Sequence, residues 1–261
     1  VVENPLSAEA DCLRPTLIPG LLQTVAYNVA RGCHDLCFFE IGRVAMSRSA
    51  GTEERTEVGL VLSGRRHPER YGQEKESEYD FFDMKGRIES WLETRRLFDS
   101  VISPAPHPAF CQAADVAVNG THVGIFGQVA DELVGDIRRK HAVFVGVFDV
   151  DAMRTVRTKP AAYKPLPQFP AVVRDISLVA DKSLSNGEII SAVMSMESPT
   201  LERIELFDIY EDEAALGAGK RSLAYSLTYR DRSRTLRDED VNAEHDKIRK
   251  MLSSKLPVEL R

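Results

Sequence analysis

The sequence predicts an α+β protein of two domains, each built on a mainly antiparallel sheet. Three observations indicate this class. Prolines cluster between residues 160 and 170 and separate two stretches of different pattern. After the cluster, periodic segments follow the order β-α-β-β-α-β, and before it a helix leads into hairpin-like strands. We expect the first domain over residues 1–160, a linker over 161–171 and the second domain over 172–261.

The first domain begins with a helix. In RPTLIPGLLQTVAYNVARG, Thr16 can cap a helix whose first turn contains Pro19, where a missing N–H loses no hydrogen bond, and Gly32 suits its end. LCFFEIGRVA, TEVGLVLSG and AVFVGVFDV predict strands, and YDFFDMKGRIESWLETRRLF predicts a helix. DVAVNGTHVGIFGQV predicts a hairpin, because its Asn119-Gly120 turn tolerates positive φ.

The linker contains Pro160, Pro165, Pro167 and Pro170. Proline lacks a backbone donor and holds the preceding residue in an extended conformation. This segment is therefore predicted to be neither a helix nor a central strand.

The second domain has the more regular pattern. RDISLVAD alternates as a strand does, and SNGEIISAVMSM has helical spacing with a capping box formed by Ser185 and Glu188. LERIELFDIY and KRSLAYSLTYR predict two strands, RDEDVNAEHDKIRKMLSS a helix, and PVELR a short final strand. The order β-α-β-β-α-β is that of the ferredoxin-like split βαβ unit.

The strand KRSLAYSLTYR has two different faces. Leu223, Tyr225, Leu227 and Tyr229 alternate with small residues, so the bulky face is expected to meet the helices. The small, polar face would let a flat or bulky partner approach the backbone. An ordinary solvated sheet face is the alternative, which the pattern alone favours.

A loop rich in arginine follows that strand. YRDRSRTLRDED carries four arginines, and the guanidinium fork matches phosphate oxygens. Acidic residues interleave with them, so a salt-bridged surface loop is the alternative.

The composition excludes a generally basic nucleic-acid-binding protein. The chain has 261 residues, is 43% hydrophobic and 28% charged, and carries a formal net charge of -6. Any RNA contact is therefore expected to rest on a local patch. No apolar run approaches the roughly 20 residues of a membrane-spanning helix, and no signal-peptide pattern is visible. Val1 in first place is consistent with a trimmed or excised chain.

Cys33, His34 and Cys37 could form one corner of a metal site. No second Cys/His pair stands at zinc-site spacing, so reduced thiols of a cytoplasmic protein are the preferred interpretation. No metal ligands are predicted.

Seven segments, in order through nearly the whole chain, resemble the C-terminal half of the beta subunit of bacterial phenylalanyl-tRNA synthetases. They are NPLSAEADCLRPTLIPGLL, FFEIGRV, FFDMKGRIE, FPAVVRDISLV, LFDIY, KRSLAYSLTYRDRSRTLRDEDVN and the terminal LR. The resemblance implies a first domain similar in fold to class II aminoacyl-tRNA synthetase catalytic domains, but without chemistry. It implies that the second is a ferredoxin-fold anticodon-binding domain.

The same resemblance implies partners and cofactors. In the family, the alpha subunit performs aminoacylation in an assembly of two alpha and two beta subunits. The implied partners are therefore the alpha subunit and phenylalanine tRNA, with no membrane, in the cytoplasm. ATP and Mg²⁺ are implied for the whole enzyme and none for this fragment, because the family's metal sites precede it.

No catalytic residue is predicted. A class II site needs a phosphate-gripping arginine and a glycine-rich segment, yet DAMRTVRTKP after AVFVGVFDV contains no glycine. Arg65, Arg66 and Arg70 could imitate a phosphate grip, although a solvated hairpin loop is the preferred interpretation. No catalytic carboxylate pair, activated nucleophile or P-loop can be assembled.

Two surfaces are predicted. A continuous tRNA-binding surface on the second domain is expected to be bordered by Arg174, Ser222, Ser226, Arg230, Arg232 and Arg234. An apolar surface on the first helix, meeting other subunits, is expected to include Leu17, Ile18, Leu21 and Leu22.

Two other classes of function remain as alternatives. An autonomous class II-like ATP-dependent ligase would bind ATP tightly without a partner. A ferredoxin-like small-molecule regulatory module would dimerise with its ligand and be indifferent to tRNA.

Overall fold

The computed structural model describes residues 12–48, 51–67, 77–134, 141–158, 163 and 165–261. Arg70 and Pro160, which the sequence predictions name, lie outside these ranges. The chain divides into two compact units, Val1–Ala162 (unit 1) and Tyr163–Arg261 (unit 2), and this division falls within residues 161–171. Within the described ranges, no helix combines the length and the apolar character that crossing a membrane requires.

Unit 1 contains a six-stranded sheet. Its strands are β1 (Leu36–Arg48), β2 (Gly51–Ser63), β3 (Ser100–Pro104), β4 (Phe110–Val118), β5 (Thr121–Val129) and β6 (Val143–Asp149). Their spatial order is β1-β2-β6-β5-β4-β3, and every neighbouring pair is antiparallel. Its helices are α1 (Ile18–Val29), α2 (Phe81–Thr94), α3 (Asp131–Val134) and α4 (Val150–Thr155).

The two long helices of unit 1 pack on opposite faces of this sheet. Gly59 in β2 leaves room for α1, because a Cβ at that position would lie 2.6 Å from a methyl carbon of Leu21. Gly146 in β6 lies on the other face, where its nearest helical neighbour is Ile88 of α2. The register supports this assignment, because Gly146 pairs with Leu60, the residue next to Gly59.

A buried carboxylate holds the start of α1. Thr16 does not occupy the predicted cap position, which falls to Leu17 without a side-chain hydrogen bond. Glu57 of β2 instead accepts hydrogen bonds from the Leu17 backbone N–H at 3.0 Å and from the Thr16 hydroxyl at 3.2 Å. Glu57 is 2% exposed, and Arg55 pairs with it at 2.7 Å. A negative charge is favourable there because the first N–H groups of a helix lack intrahelical partners.

Unit 2 has the predicted ferredoxin-like order. Its strands are β7 (Val172–Asp181), β8 (Leu201–Tyr210), β9 (Lys220–Tyr229) and β10 (Val258–Leu260), and its helices are α5 (Asn186–Met194), α6 (Glu213–Leu216) and α7 (Asp238–Lys255). The antiparallel sheet has the order β10-β7-β9-β8. The capping box of Ser185 and Glu188 is present at the start of α5. The α+β class and the ferredoxin-like second domain are therefore confirmed.

The core of unit 2 lies between the sheet and the two longer helices, α5 and α7. Leu223, Tyr225, Leu227 and Tyr229 of β9 are all buried, as the alternation predicts. The buried tyrosine hydroxyls have partners: Tyr225 donates to Asn186 at 2.9 Å, and Tyr229 lies 3.1 Å from Nδ1 of His245. Burial raises the pKa of Tyr225 to about 12. These pairs satisfy polar groups that would otherwise be costly to bury.

Candidate RNA-binding surface

The sheet of unit 2 has a second face, opposite the helix-covered core. On β9 this face consists of Ser222, Ala224, Ser226 and Thr228. Residues directly opposite each other in neighbouring strands share a face. The β7 partners of those four residues are Val179, Ser177, Asp175 and Val173. We call these eight residues the open face.

The two ends of the open face differ in accessibility. Ser222 is 9% exposed, and its hydroxyl lies 3.5 Å from that of Ser177. Ser226 and Thr228 are partly exposed, and Val173 is 51% exposed. The accessible end is therefore the Ser226 end, next to the loop that follows β9, and Ser222 lies too deep to offer much surface to a partner.

Arg174 does not share this surface, so the prediction of one continuous surface is wrong for this residue. It pairs with Leu227, which belongs to the buried core, and so its side chain lies on the helix side of the sheet. There its guanidinium donates to the carboxylate of Asp238 at 2.5 Å and lies 3.4 Å from the side-chain oxygen of Asn242. The alternation of β7 puts Arg174 on the same side as Ile176 and Leu178, and Asp175 and Ser177 on the other side. The sequence pattern therefore indicates the helix side for Arg174.

Two of the loop arginines already have acidic partners. Arg230 donates to Glu202 at 2.7 Å and to the backbone oxygen of Phe169 at 2.8 Å. Arg234 donates to Asp240 at 2.7 Å. This hydrogen bond raises the pKa of the Arg234 guanidinium and lowers the pKa of the Asp240 carboxyl. The alternative of a salt-bridged loop thus describes Arg230 and Arg234.

Arg232 differs from both neighbours. It is exposed, and within the described ranges the structure records no hydrogen bond or ion pair for its guanidinium. The preceding residue, Asp231, accepts hydrogen bonds from the backbone N–H and from the hydroxyl of Ser233. These two hydrogen bonds, the backbone one most, lower the pKa of the Asp231 carboxyl. Of Arg230, Arg232 and Arg234, Arg232 is therefore the one best placed to contact an anionic partner.

The edge strand β8 adds residues that the sequence predictions missed. Arg203 and Glu205 pair with Thr228 and Ser226, and so extend the accessible end of the open face. Phe207 is 59% exposed at a register shift of this strand, and Tyr210 is 48% exposed. Tyr210 pairs with Ser222, at the other end of the open face. Exposed aromatic rings on an edge strand are able to stack on bases. The signal in the sequence is the pair of aromatic residues in LFDIY, Phe207 and Tyr210.

The four apolar residues predicted as a subunit contact are buried within unit 1 itself. Leu17, Ile18, Leu21 and Leu22 are between 0% and 9% exposed and belong to the core between α1 and the sheet. The expected exposed apolar surface is therefore not formed by these side chains. The amphipathic pattern of α1 is accounted for by the sheet beneath it.

The arginines after β2 are also engaged. Arg65 donates to Asp35 at 2.7 Å, and Arg66 pairs with Asp80 at 3.0 Å and Asp83 at 2.8 Å. The hydrogen bond from Arg65 lowers the pKa of the Asp35 carboxyl. The Arg65 pair ties the end of β2 to Asp35, just before β1, and the Arg66 pairs tie it to the start of α2. Both arginines of the expected solvated hairpin loop are therefore held in ion pairs.

No metal site is evident in the described part of the chain. There, no three His, Cys, Asp or Glu residues are grouped so that they could hold a metal ion. The four cysteines, Cys12, Cys33, Cys37 and Cys111, are free and exposed.

Each of the two units matches a known domain family. Residues 167–261 match the ferredoxin-fold anticodon-binding domain, so unit 2 falls in that class of domain. Residues 1–150, more than half of the chain, match the phenylalanyl-tRNA synthetase beta chain CLM domain. The chain belongs to the phenylalanyl-tRNA synthetase beta chain family.

Individual relatives are similar in sequence over nearly the whole chain. The phenylalanine–tRNA ligase beta subunit of Halalkalibacterium halodurans is 35% identical over 268 residues, covering 100% of this chain and 33% of the relative. That of Nitratidesulfovibrio vulgaris is 32% identical over 264 residues, covering 99% of this chain and 33% of the relative. This chain thus spans about a third of the length of these relatives. A solved pyrrolysyl-tRNA synthetase from Desulfitobacterium hafniense is similar over 58% of this chain and 51% of its own, with 16% identity and a TM-score of 0.43.

Proposed function

We propose that this chain is part of a phenylalanine–tRNA ligase beta subunit, and that unit 2 binds the anticodon region of phenylalanine tRNA. The observation that carries the proposal is the open face of unit 2. Its accessible end is lined by Ser226 and Thr228, whose small side chains leave the sheet backbone within reach of a base. Proteins that read single-stranded RNA commonly stack bases on a sheet and hydrogen-bond their edges.

The surroundings of that face suit RNA in two further ways. Phe207 and Tyr210 on β8 offer aromatic rings at the sheet edge for stacking. Arg232, in the loop beside Ser226, offers a guanidinium for a phosphate. In this proposal Arg230 and Arg234 hold the loop in shape through Glu202 and Asp240. Ser222 and Arg174 have supporting roles only.

For unit 1 we propose a scaffold that contacts the catalytic alpha subunit in an assembly of two alpha and two beta subunits in the cytoplasm. ATP and Mg²⁺ would then serve the alpha subunit. The residues of this chain do not fit them, because the described ranges contain no group of three metal-ligating side chains and Arg65 and Arg66 are paired with aspartates. The contact with the alpha subunit must involve residues other than the buried face of α1.

One titration tests the proposal. Labelled phenylalanine tRNA is added to the chain at several salt concentrations, beside a non-cognate tRNA of equal length. We expect tighter binding of phenylalanine tRNA and a steep loss of affinity with salt. Equal, weak binding of both tRNAs would contradict a role in anticodon recognition. Ligand-dependent dimerisation without tRNA binding would favour a small-molecule regulatory module.

A further inference from the structure

Unit 1 contains a large apolar groove on the sheet face that also carries α2. Its volume is about 1080 Å³. Its floor is formed by Phe39 and Ile41 of β1 and by Val58 and Leu60 of β2. Phe39 is 69% exposed and Ile41 62% exposed, so α2 does not cover this part of the sheet. Among the described residues of unit 1, no helix or strand covers this extension of the face that α2 buries further along.

Two helices wall the groove. Trp91 of α2 forms one side, and its ring is held edge-to-face against Phe148 with the ring centroids 5.2 Å apart. Met153 of α4 lies on the lining as well. The groove thus has an apolar floor, a fixed aromatic wall and an adaptable thioether, which is the usual construction of a small-molecule site.

The charge of the lining is one-sided. Four arginines line the groove, Arg87, Arg95, Arg96 and Arg154, and among its described lining residues there is no Asp or Glu. The whole chain, by contrast, carries a formal net charge of -6. This cluster of positive charges attracts anions into the groove, although the protein as a whole is acidic.

Two of these arginines are engaged and two are not. Arg154 lies 3.3 Å from Asp151, and Arg87 donates to the Tyr79 hydroxyl at 3.1 Å. Arg95 and Arg96 are exposed at the end of α2, and in the described ranges the structure records no side-chain hydrogen bond or ion pair for either. Arg95 and Arg96 are therefore the groups that can pair with an incoming anion.

We propose that this groove binds a small-molecule anion with an aromatic or branched apolar body and one anionic oxygen group. The body packs on Phe39, Ile41 and Trp91, and the anionic group pairs with Arg95 and Arg96. The concave shape, closed by strands on one side and helices on others, favours a small molecule over a protein surface. This site lies in unit 1 and is independent of the tRNA site proposed for unit 2.

The probe for the test is 8-anilino-1-naphthalenesulfonate (ANS), an aromatic anion that fluoresces when it enters an apolar site. Trp91 is the only tryptophan of the chain, and ANS absorbs where tryptophan emits. ANS in the groove should therefore bind at a single saturable site and quench Trp91 almost completely. N-phenyl-1-naphthylamine, which has the same rings without the sulfonate, is the neutral control and should bind more weakly.

Matched variants locate the site. Arg95→Gln/Arg96→Gln removes two charges without breaking a recorded ion pair and should weaken ANS binding about tenfold or more. Arg31→Gln/Lys255→Gln changes the net charge equally at two exposed positions outside the groove and should leave ANS binding unchanged. Phe39→Ser should weaken binding of both probes, whereas Tyr27→Ser, at the 58% exposed Tyr27 of α1, should not.

The proposal is overturned by equal binding of ANS and the neutral probe, by loss of the saturable site, or by quenching unaffected by the groove variants. If ANS does not bind and the Arg95→Gln/Arg96→Gln variant instead loses association with another protein chain, the occupant is a protein and the proposal is wrong. Circular dichroism of each variant shows whether its fold is intact, and Phe39, Arg95 and Arg96 are exposed, so their replacement leaves the core unchanged.

Discussion

Arg234 donates a hydrogen bond to Asp240 across 2.7 Å, from the loop after β9 to the first turn of α7. This contact divides the arginines of the loop into two kinds. A guanidinium that is already paired must give up its carboxylate before it can bind a phosphate, whereas the exposed Arg232 gives up nothing but water. The two residues stand two positions apart and therefore allow a direct comparison.

We expect Arg232→Ala to weaken binding of phenylalanine tRNA and to reduce the slope of log K against log salt by about 0.7, the value for one single-strand phosphate contact. Arg234→Ala should change this slope less, because its charge is already balanced by Asp240. Affinities measured by fluorescence anisotropy over a salt series test this. Arg31→Ala on unit 1 is the control for net charge. If Arg234→Ala has the larger effect on the slope, the loop reorganises when it binds RNA.

Ser226→Leu tests the open face without a change of charge. Leucine fills the space above the accessible end of the sheet, so we expect a loss of about 1–3 kcal/mol in tRNA affinity, the value of one base stack. Ser191→Leu, on the exposed side of α5, adds the same side chain on the helix side of the sheet and should have no effect. Unchanged affinity of the Ser226→Leu variant would exclude this end of the sheet as the RNA site.

Leu21→Ala tests the packing of α1. Leu21 is 0% exposed and lies against Gly59, so its truncation should cost about 2–5 kcal/mol of the free energy of unfolding of unit 1. Gln23→Ala on the exposed side of the same helix should cost little. Trp91 reports the unfolding of unit 1 in urea, because it is the only tryptophan of the chain. A loss well under 1 kcal/mol would mean that α1 is not packed as described.

Much of the fold could be predicted from the sequence because its strands and long helices have strong periodic patterns. β9 is the clearest example: Leu223, Tyr225, Leu227 and Tyr229 alternate in the sequence and all lie in the core. The short strand β3 and the short helices α3, α4 and α6 had no such pattern. β3 has five residues and ends at Pro104, and α3, α4 and α6 have four to six residues each.

The candidate site was less predictable, because it depends on contacts between distant residues. Alternation in β7 indicates the side of the sheet on which Arg174 lies, but sequence alone could not show that Asp238, 64 positions away, would be its partner. Nor could it show that the apolar stripe of α1 would be buried by the sheet of its own unit. An apolar helical stripe predicts burial but does not identify the surface that buries it.

The purified chain should show no phenylalanine-dependent exchange between ATP and pyrophosphate. Arg65 and Arg66, the arginines closest to a phosphate-gripping pattern, are paired with Asp35, Asp80 and Asp83. The measurement needs chain free of host synthetase, checked with a mock preparation from the same cells. Exchange activity that co-purifies with the chain and is absent from the mock preparation would contradict the scaffold role.

The buried pair formed by Tyr229 and His245 makes the stability of unit 2 depend on pH. Burial is the main cause that lowers the pKa of His245, followed by the charge of Arg249, while Asp246 and Asp175 oppose the shift and Arg174 adds to it. Because the folded-state pKa lies below the unfolded value, protonation favours the unfolded state. The contribution of His245 to the stability of unit 2 is therefore fully present above the unfolded pKa of about 6.5 and decreases as the pH falls below it toward the lower folded-state pKa.

We expect protection of the β9 and α7 amides, measured by hydrogen exchange and mass spectrometry with rates corrected for pH, to fall between about pH 7.5 and pH 5.5. His245→Gln keeps a polar group near the Tyr229 hydroxyl but cannot titrate in this range. We therefore expect the amides of this variant to be less protected than those of the parent chain at pH 7.5, and their protection to be nearly independent of pH. The carboxylates whose pKa is lowered, among them Asp231 and Asp240, titrate below this window and do not obscure the result. Hydrogen exchange is measured in place of tryptophan fluorescence, because Trp91 lies in unit 1 and does not report on unit 2. Equal pH dependence in the parent chain and His245→Gln would assign the effect to another group.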